Sequence, residues 1–286
     1  MAILVNQDTR VLIQGITGNQ GRYHTLRMKE YNVQVVAGST PGRGGQQVDG
    51  VPVYDSVAEA AAHHPIDASM ILVPPAGALP AAAEALESAI PLVVIITEFV
   101  PFHDALLIRR LSDDTPSRVI GPNTIGVISP GKGKVGVMPG FIYSEGHVGL
   151  ISRSGTLTHE IASNLTYKGI GQSTCVCIGG DMVNGTNFID ILKAFREDPQ
   201  TEKVIIIGEI GGAGEEIAAR YIKETAYPKP VIAYIAGMTA PKEKKMGHAG
   251  AIVSRGVGTA GSKIGSLAEA GVSIARNLDE LLAFAG

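Results

Sequence analysis

Arg10-Val11-Leu12-Ile13-Gln14-Gly15-Ile16-Thr17-Gly18-Asn19-Gln20-Gly21 runs from an apolar stretch into glycines spaced by three, and a helical pattern follows. A strand, a glycine loop and a helix in that order are how a parallel α/β sheet that binds phosphate begins. The glycines permit a tight turn and close backbone approach, and the helix N-terminus offers free N–H groups and the positive end of its dipole. An NAD site would also want an Asp or Glu about 20 residues on, at the end of the second strand. Here that strand ends Val36-Ala37-Gly38-Ser39-Thr40-Pro41, without a carboxylate. Gly42-Arg43-Gly44-Gly45 comes next and presents a guanidinium, the group suited to a phosphate rather than a ribose diol. The expected ligand is nucleotide-like and phosphate-bearing, and an NAD(P)-dependent dehydrogenase is a distant alternative.

Outward from this stretch, short β-branched runs alternate with longer helical patterns, the rhythm of βαβ units. Strands are predicted at 10–13, 33–37, 68–73, 92–96 and 119–121, with helices at 21–31, 57–62, 77–89 and 102–112. A Gly- and Pro-dense region from 121 to 146 reads as a boundary. The rhythm then resumes with strands at 147–152, 173–178, 204–208, 231–236 and 272–275 and helices at 156–167, 187–197, 215–225 and 259–270. Two doubly wound α/β domains are expected, residues 1–125 and 147–286, with 126–146 as linker. Ligands of such sheets gather at the carboxyl ends of the strands.

At 286 residues the chain is long enough for two cores. A formal net charge of −3, with 18% charged residues and no long basic block, argues against nucleic acid. No apolar run is long enough for a membrane span, and the first residues read as neither signal nor transit peptide, so a cytoplasmic location is expected. Cys175 and Cys177 alternate in an apolar run and so share one strand face, which suits buried free thiols. There is no P-loop, no His-Glu-x-x-His and no Cys-x-x-Cys, hence no ATP site of the P-loop type and no metal site.

Five further stretches carry chemistry. Val73-Pro74-Pro75-Ala76 and Ile96-Thr97-Glu98 end the third and fourth predicted strands, on the same sheet edge as the glycine loop, and can wall one groove with it. Ser152-Arg153-Ser154-Gly155-Thr156-Leu157-Thr158-His159-Glu160 joins a strand to a helix, and its hydroxyls and N–H groups can cap that helix or hold an anion. Gly208-Glu209-Ile210-Gly211-Gly212 puts a carboxylate at a strand end among glycines. His248, in Met246-Gly247-His248-Ala249-Gly250-Ala251, is flanked by small residues and preceded by Lys242, Lys244 and Lys245, which suits an imidazole reached by a bulky anion. Glu209 could bond one imidazole nitrogen and leave the other free as a nucleophile. Singly, each stretch is also what an ordinary turn or cap looks like.

Taken in order, these stretches resemble the succinyl-CoA synthetase (succinate–CoA ligase) α-subunit family over essentially the whole chain. The resemblance implies an N-terminal Rossmann-like CoA-binding domain followed by a flavodoxin-like ligase domain carrying a phosphohistidine. His248 would be the phosphorylated nucleophile and Glu209 its orienting partner. Thr17, Gly18, Asn19, Gln20, Arg43, Pro74, Ile96, Thr97 and Glu98 would contact CoA, and Ser154, Gly155 and Thr156 would hold the phosphoryl group. ATP or GTP with Mg2+ would bind a separate ATP-grasp β subunit, in a heterodimer or heterotetramer, which fits the missing P-loop. The implied reaction joins succinate to CoA through an acyl phosphate. Some positions depart from the family pattern. His159 stands where the family has Tyr, at a position associated with the acid substrate. Thr124-Ile125 replaces Cys-Pro, Met182 replaces Pro, and Arg43 replaces Lys. Malate or citrate as the acid is therefore one alternative, and a non-catalytic CoA-binding regulator, which would need only the first half of the chain, is another.

Overall fold

The computed structural model describes residues 2–237 and 258–286. Its first half contains β1 (Arg10–Gln14), α1 (Asn19–Glu30), β2 (Gln34–Ser39), β3 (Gln47–Val48), β4 (Val51–Tyr54), α2 (Val57–His63), β5 (Ala68–Ile71), α3 (Ala78–Glu87), β6 (Leu92–Ile95), α4 (Phe102–Asp113) and β7 (Arg118–Ile120). These strands form one sheet in the order β3-β4-β2-β1-β5-β6-β7, parallel throughout except for the β3–β4 pair. Without β3 the order is that of a dinucleotide-binding fold, and its winding reverses between β1 and β5. Helices cover both faces, which is why β1 reads as an unbroken apolar run: Val11, Leu12 and Ile13 are fully buried. On α1, Gly21, Thr25 and Met28 turn inward at helical spacing.

The second half contains β8 (Gly126–Ser129), β9 (Gly133–Gly136), β10 (Glu145–Ser152), α5 (Gly155–Tyr167), β11 (Gln172–Cys177), α6 (Phe188–Glu197), β12 (Lys203–Glu209), α7 (Gly214–Glu224), β13 (Val231–Ala236), α8 (Ala260–Glu269), β14 (Ser273–Ala275) and α9 (Leu278–Ala285). Its sheet order is β14-β13-β12-β10-β11-β8-β9. The five parallel strands β10 to β14 follow the flavodoxin order, with the reversal between β10 and β12. Residues 126–146, read from the sequence as linker, differ from that expectation. They hold the β8–β9 hairpin, which adds antiparallel to β11 with Ile128 opposite Cys175.

The segment after β7 ties the two sheets together at their carboxyl edges. Asn123 N donates to Thr97 O beyond β6 (3.0 Å), Gly180 N donates to Asn123 O (3.1 Å), and Gly121 N donates to Ile178 O beyond β11 (3.3 Å). A second seam joins the hairpin to α1, where Gly131 N donates to the Tyr31 hydroxyl (3.0 Å). Among the described residues, no helix is long and apolar enough to cross a membrane.

Candidate functional site

Gly15 turns the chain out of β1 at φ +81°, donating its N–H to Ser39 O at 2.8 Å. A Cβ there would lie 2.5 Å from Leu72 O, and one at Gly21 would lie 2.3 Å from Gly15 O. The first glycine thus admits a left-handed turn, and the last lets α1 press against the loop. The loop opens onto a cavity of about 530 Å³ at the winding reversal, walled by Thr17, Gly18 and Thr40 on one side and by Val73, Pro74 and Ala81 on the other. A roomier hollow of about 630 Å³ lies around Pro230 and Val272, at the amino ends of β13 and β14, the wrong edge for such ligands.

Of the residues expected to meet CoA, Thr17, Gly18 and Pro74 line this cavity. Asn19 and Gln20 open α1 and are exposed, behind Gly18, whose position at the N-cap gives no side-chain cap. Thr97 is buried and donates to Val73 O at 2.8 Å, binding the end of β6 to the end of β5. Ile96, Glu98 and Arg43 do not line the cavity. Arg43 is exposed, in a loop pinned by Asp55, whose carboxylate accepts from Gly44 N at 2.8 Å.

In the second sheet Ser154 caps α5, its hydroxyl accepting from Leu157 N at 3.4 Å. Ser152 Oγ accepts from Ser154 N at 3.0 Å and donates to Ser154 O at 2.9 Å, so the turn is closed by its own hydroxyls. Among the described residues, the N–H groups of Gly155 and Thr156 have no acceptor, which leaves the positive end of α5 open to an anion. Ile125 covers this turn: a Cβ on Gly155 would lie 2.7 Å from Ile125 Cγ2. Thr124 lies beneath, its hydroxyl donating to Cys177 O. Met182 is exposed beside buried Asp181, whose carboxylate accepts from Asn123 Nδ2 at 2.9 Å.

His159 is half-buried on α5, edge-on to Tyr143 with 6.4 Å between ring centroids. Burial lowers its pKa below the usual imidazole value and raises that of the Tyr143 phenol. Its Nε2 and the Tyr143 hydroxyl are shut from solvent without a hydrogen-bond partner, so both retain unused polar capacity. Cys175 and Cys177 are free and buried, with thiol pKa values raised by burial.

Glu209 ends β12, next to β10 at the second winding reversal, and is buried. Its N–H donates to Glu215 Oε1 at 3.2 Å. Sequence reading passed over the charges around it: Arg153, Glu215 and Lys263 are all buried here, and being far apart in the chain they give no local motif. His248 lies outside the described residues. The flanks of 238–257 both reach the Glu209 loop. A Cβ on Gly237 would lie 2.8 Å from the Ile210 side chain, and Gly258 O accepts from Gly211 N at 2.8 Å. Among the described residues, no group of three or more His, Cys, Asp or Glu is placed to hold a metal.

A groove at the winding reversal of one doubly wound sheet and an anion-ready helix start on a second are features of a two-sheet α/β protein for phosphate-bearing ligands. In agreement, residues 6–99 match the CoA binding domain family and residues 151–273 match the CoA-ligase family. The chain belongs to the succinate–CoA ligase α-subunit family. It is 51% identical over 276 residues to the ADP-forming succinate–CoA ligase subunit alpha 2 of Archaeoglobus fulgidus, covering 96% of each chain. To the corresponding Methanothermobacter thermautotrophicus subunit it is 53% identical, over 95% of this chain and 92% of that one. The structure of ATP citrate lyase from Methanothrix soehngenii in complex with citrate and coenzyme A superposes with a TM-score of 0.91 at 25% identity. That match covers 99% of this chain and 50% of the other, so this chain spans about half the length of the lyase.

Proposed function

We propose that this chain is the α half of an ADP-forming succinate–CoA ligase whose β subunit, of the ATP-grasp type, binds the nucleotide and Mg2+ in a cytoplasmic heterodimer or heterotetramer. The observation that carries this reading is the joining of the two sheets through residues 121–123 at their carboxyl edges. The glycine-loop cavity, the open start of α5 and the Glu209 loop all follow strands at those same carboxyl edges. CoA occupies the cavity, meeting Thr17, Gly18, Asn19, Gln20 and Pro74, with Arg43, Ile96, Thr97 and Glu98 at its margins. Ser154, Gly155 and Thr156 hold a phosphoryl group at the N-terminus of α5.

In this reading the γ-phosphoryl group passes from the nucleotide to one imidazole nitrogen of His248, while Glu209 accepts the N–H of the other and fixes the tautomer. The phosphohistidine gives the group to a carboxylate oxygen of the acid, forming an acyl phosphate. The CoA thiolate then attacks the acyl carbon and inorganic phosphate leaves. With the β subunit and labelled ATP, one phosphoryl group is expected on this chain and none on His248→Ala; an alanine variant labelled as fully as the parent rules the assignment out.

A second reading keeps the mechanism and changes the acid. It draws on the unused polar atoms of His159 and Tyr143, and on the likeness to a lyase solved with citrate. A panel of succinate, malate and citrate with the assembled enzyme separates the two, and a strong preference for succinate removes the second.

A further inference from the structure

Burying an ammonium and a carboxylate is costly, and an apolar pair of the same volume would pack as well. Lys263 and Glu215 are nevertheless ion-paired with both side chains fully buried. Lys263 Nζ also donates to Gly212 O (3.1 Å) and to Glu216 Oε2 (3.2 Å), so its three protons have three acceptors. The other oxygen of Glu215 accepts from Glu209 N at 3.2 Å and faces Arg153 Nη1 at 3.8 Å. Arg153 in turn donates to Gly211 O at 3.0 Å.

Three buried charges from separate segments, the α5 lead-in, α7 and α8, therefore grip one short loop at Glu209 N, Gly211 O and Gly212 O. The loop cannot hold its own shape, because Gly211 and Gly212 stand at φ +94° and +61° and leave the backbone without side-chain restraint. The grip also extends to the start of α8, since Gly211 N donates to Gly258 O at 2.8 Å. Adjoining secondary structure alone does not require charges here, as α7 and α8 could meet through apolar side chains.

We infer that Lys263 is a positioning residue for Glu209, acting through Glu215 and the Gly211–Gly212 loop, with Arg153 securing the same loop from the α5 side. The inference rests on the proposed role of Glu209 toward a phosphorylated histidine. It adds residues that touch neither substrate nor phosphoryl group and that nonetheless set the rate.

The test uses Lys263→Met and the double variant Lys263→Met/Glu215→Gln, in the full chain assembled with its β subunit. The single variant leaves a carboxylate buried without its partner and can fail to assemble, whereas the double variant removes both charges. In the double variant, amide exchange at Glu209 and Gly211 is expected to accelerate while exchange in the first domain stays as in the parent. A fall in kcat of roughly 10- to 100-fold is expected, the size usual for groups that orient a reacting residue. KM for CoA should move by less than about twofold, because the CoA cavity is on the other sheet.

A folded double variant with unchanged exchange at Glu209 and Gly211 overturns the anchoring. One that exchanges faster yet keeps the parent's kcat overturns the positioning role and leaves only a structural weld. A parent enzyme that never carries a phosphoryl group sinks the functional reading and, with it, the catalytic half of this inference; the exchange data still decide the anchoring.

Discussion

Gly15 is asked to do two things that no other residue can do together: hold φ at +81° and let Leu72 O approach to where a Cβ would be 2.5 Å away. Gly15→Ala is expected to cost about 1–3 kcal/mol, the usual range for a non-glycine residue forced into this region, with crowding added. Urea melts should register that loss, and CoA titration should register weaker binding, since the loop forms one wall of the cavity. A variant that melts with the parent and binds CoA equally well would show that the turn is not under this constraint. His159 supports a prediction of a different kind. Burial lowers its pKa from 6.5, so the folded state prefers the neutral ring. Between the folded value and 6.5 the unfolded chain binds the extra proton, and stability must rise with pH across that window and fall as pH drops through it. His24 is shifted the same way, chiefly by burial, and gives a similar slope of its own. His159→Phe should therefore lose less stability than the parent between pH 7 and 5.5, the His24 slope being common to both. Parallel urea-melt curves for the two proteins would sink the idea.

At the scale of elements, α5 is where capping and function coincide. Ser154→Ala removes the acceptor for Leu157 N and is expected to cost about 1 kcal/mol. In the assembled enzyme it should also slow phosphoryl transfer, which separates it from caps elsewhere such as Asn277 on α9, where only stability should respond. The strand–loop–helix units were legible because strands such as β1, β6 and β12 are buried along almost their whole length and read as apolar runs. Both hairpins were harder. The β3–β4 hairpin carries a signal that was passed over: Asp49 and Gly50, both at positive φ, make the two-residue turn that Asp-Gly favours. The β8–β9 hairpin has four-residue strands rich in glycine, and only its pairing with β11 distinguishes it from the linker its composition resembles. At the candidate site, Thr17, Gly18, Ser154 and Glu209 sit on strand ends and could be read from local pattern. The Arg153–Glu215–Lys263 grip could not, since Lys263 and Glu215 are 48 residues apart and meet only because α7 and α8 pack together.

For the whole molecule, the β8–β9 hairpin matters because it belongs to one sheet and leans on a helix of the other. A Cβ on Gly133 would lie 2.5 Å from Asn6 O, and one on Gly140 would lie 2.2 Å from the Tyr31 ring. Within this seam Lys134 is 4% exposed, with its ammonium 5.3 Å from the centre of the Tyr31 ring and donating to Met138 O at 2.8 Å. Burial, helped by the nearby charge of Arg27, lowers its pKa from 10.5 to about 8. The charged form is thus disfavoured at the seam. Below about pH 8 the lysine is protonated in both folded and unfolded chains and the penalty is fully present. As pH climbs from there toward 10.5 the unfolded chain alone keeps the proton, so stability rises. The gain is on the order of 2 kcal/mol, given the usual conversion of a pKa shift and some discount for solvent at the seam. Lys134→Met keeps the apolar stem and removes the titrating group, while every other lysine, tyrosine and cysteine remains common to both proteins. The increase in unfolding free energy between pH 7.5 and pH 10 should therefore be smaller in the variant by about that amount, as read from urea melts at matched ionic strength. Equal increases in the two proteins would mean that the ammonium is not desolvated by the seam, and that the hairpin does not close on α1 as tightly as the Tyr31 contacts require.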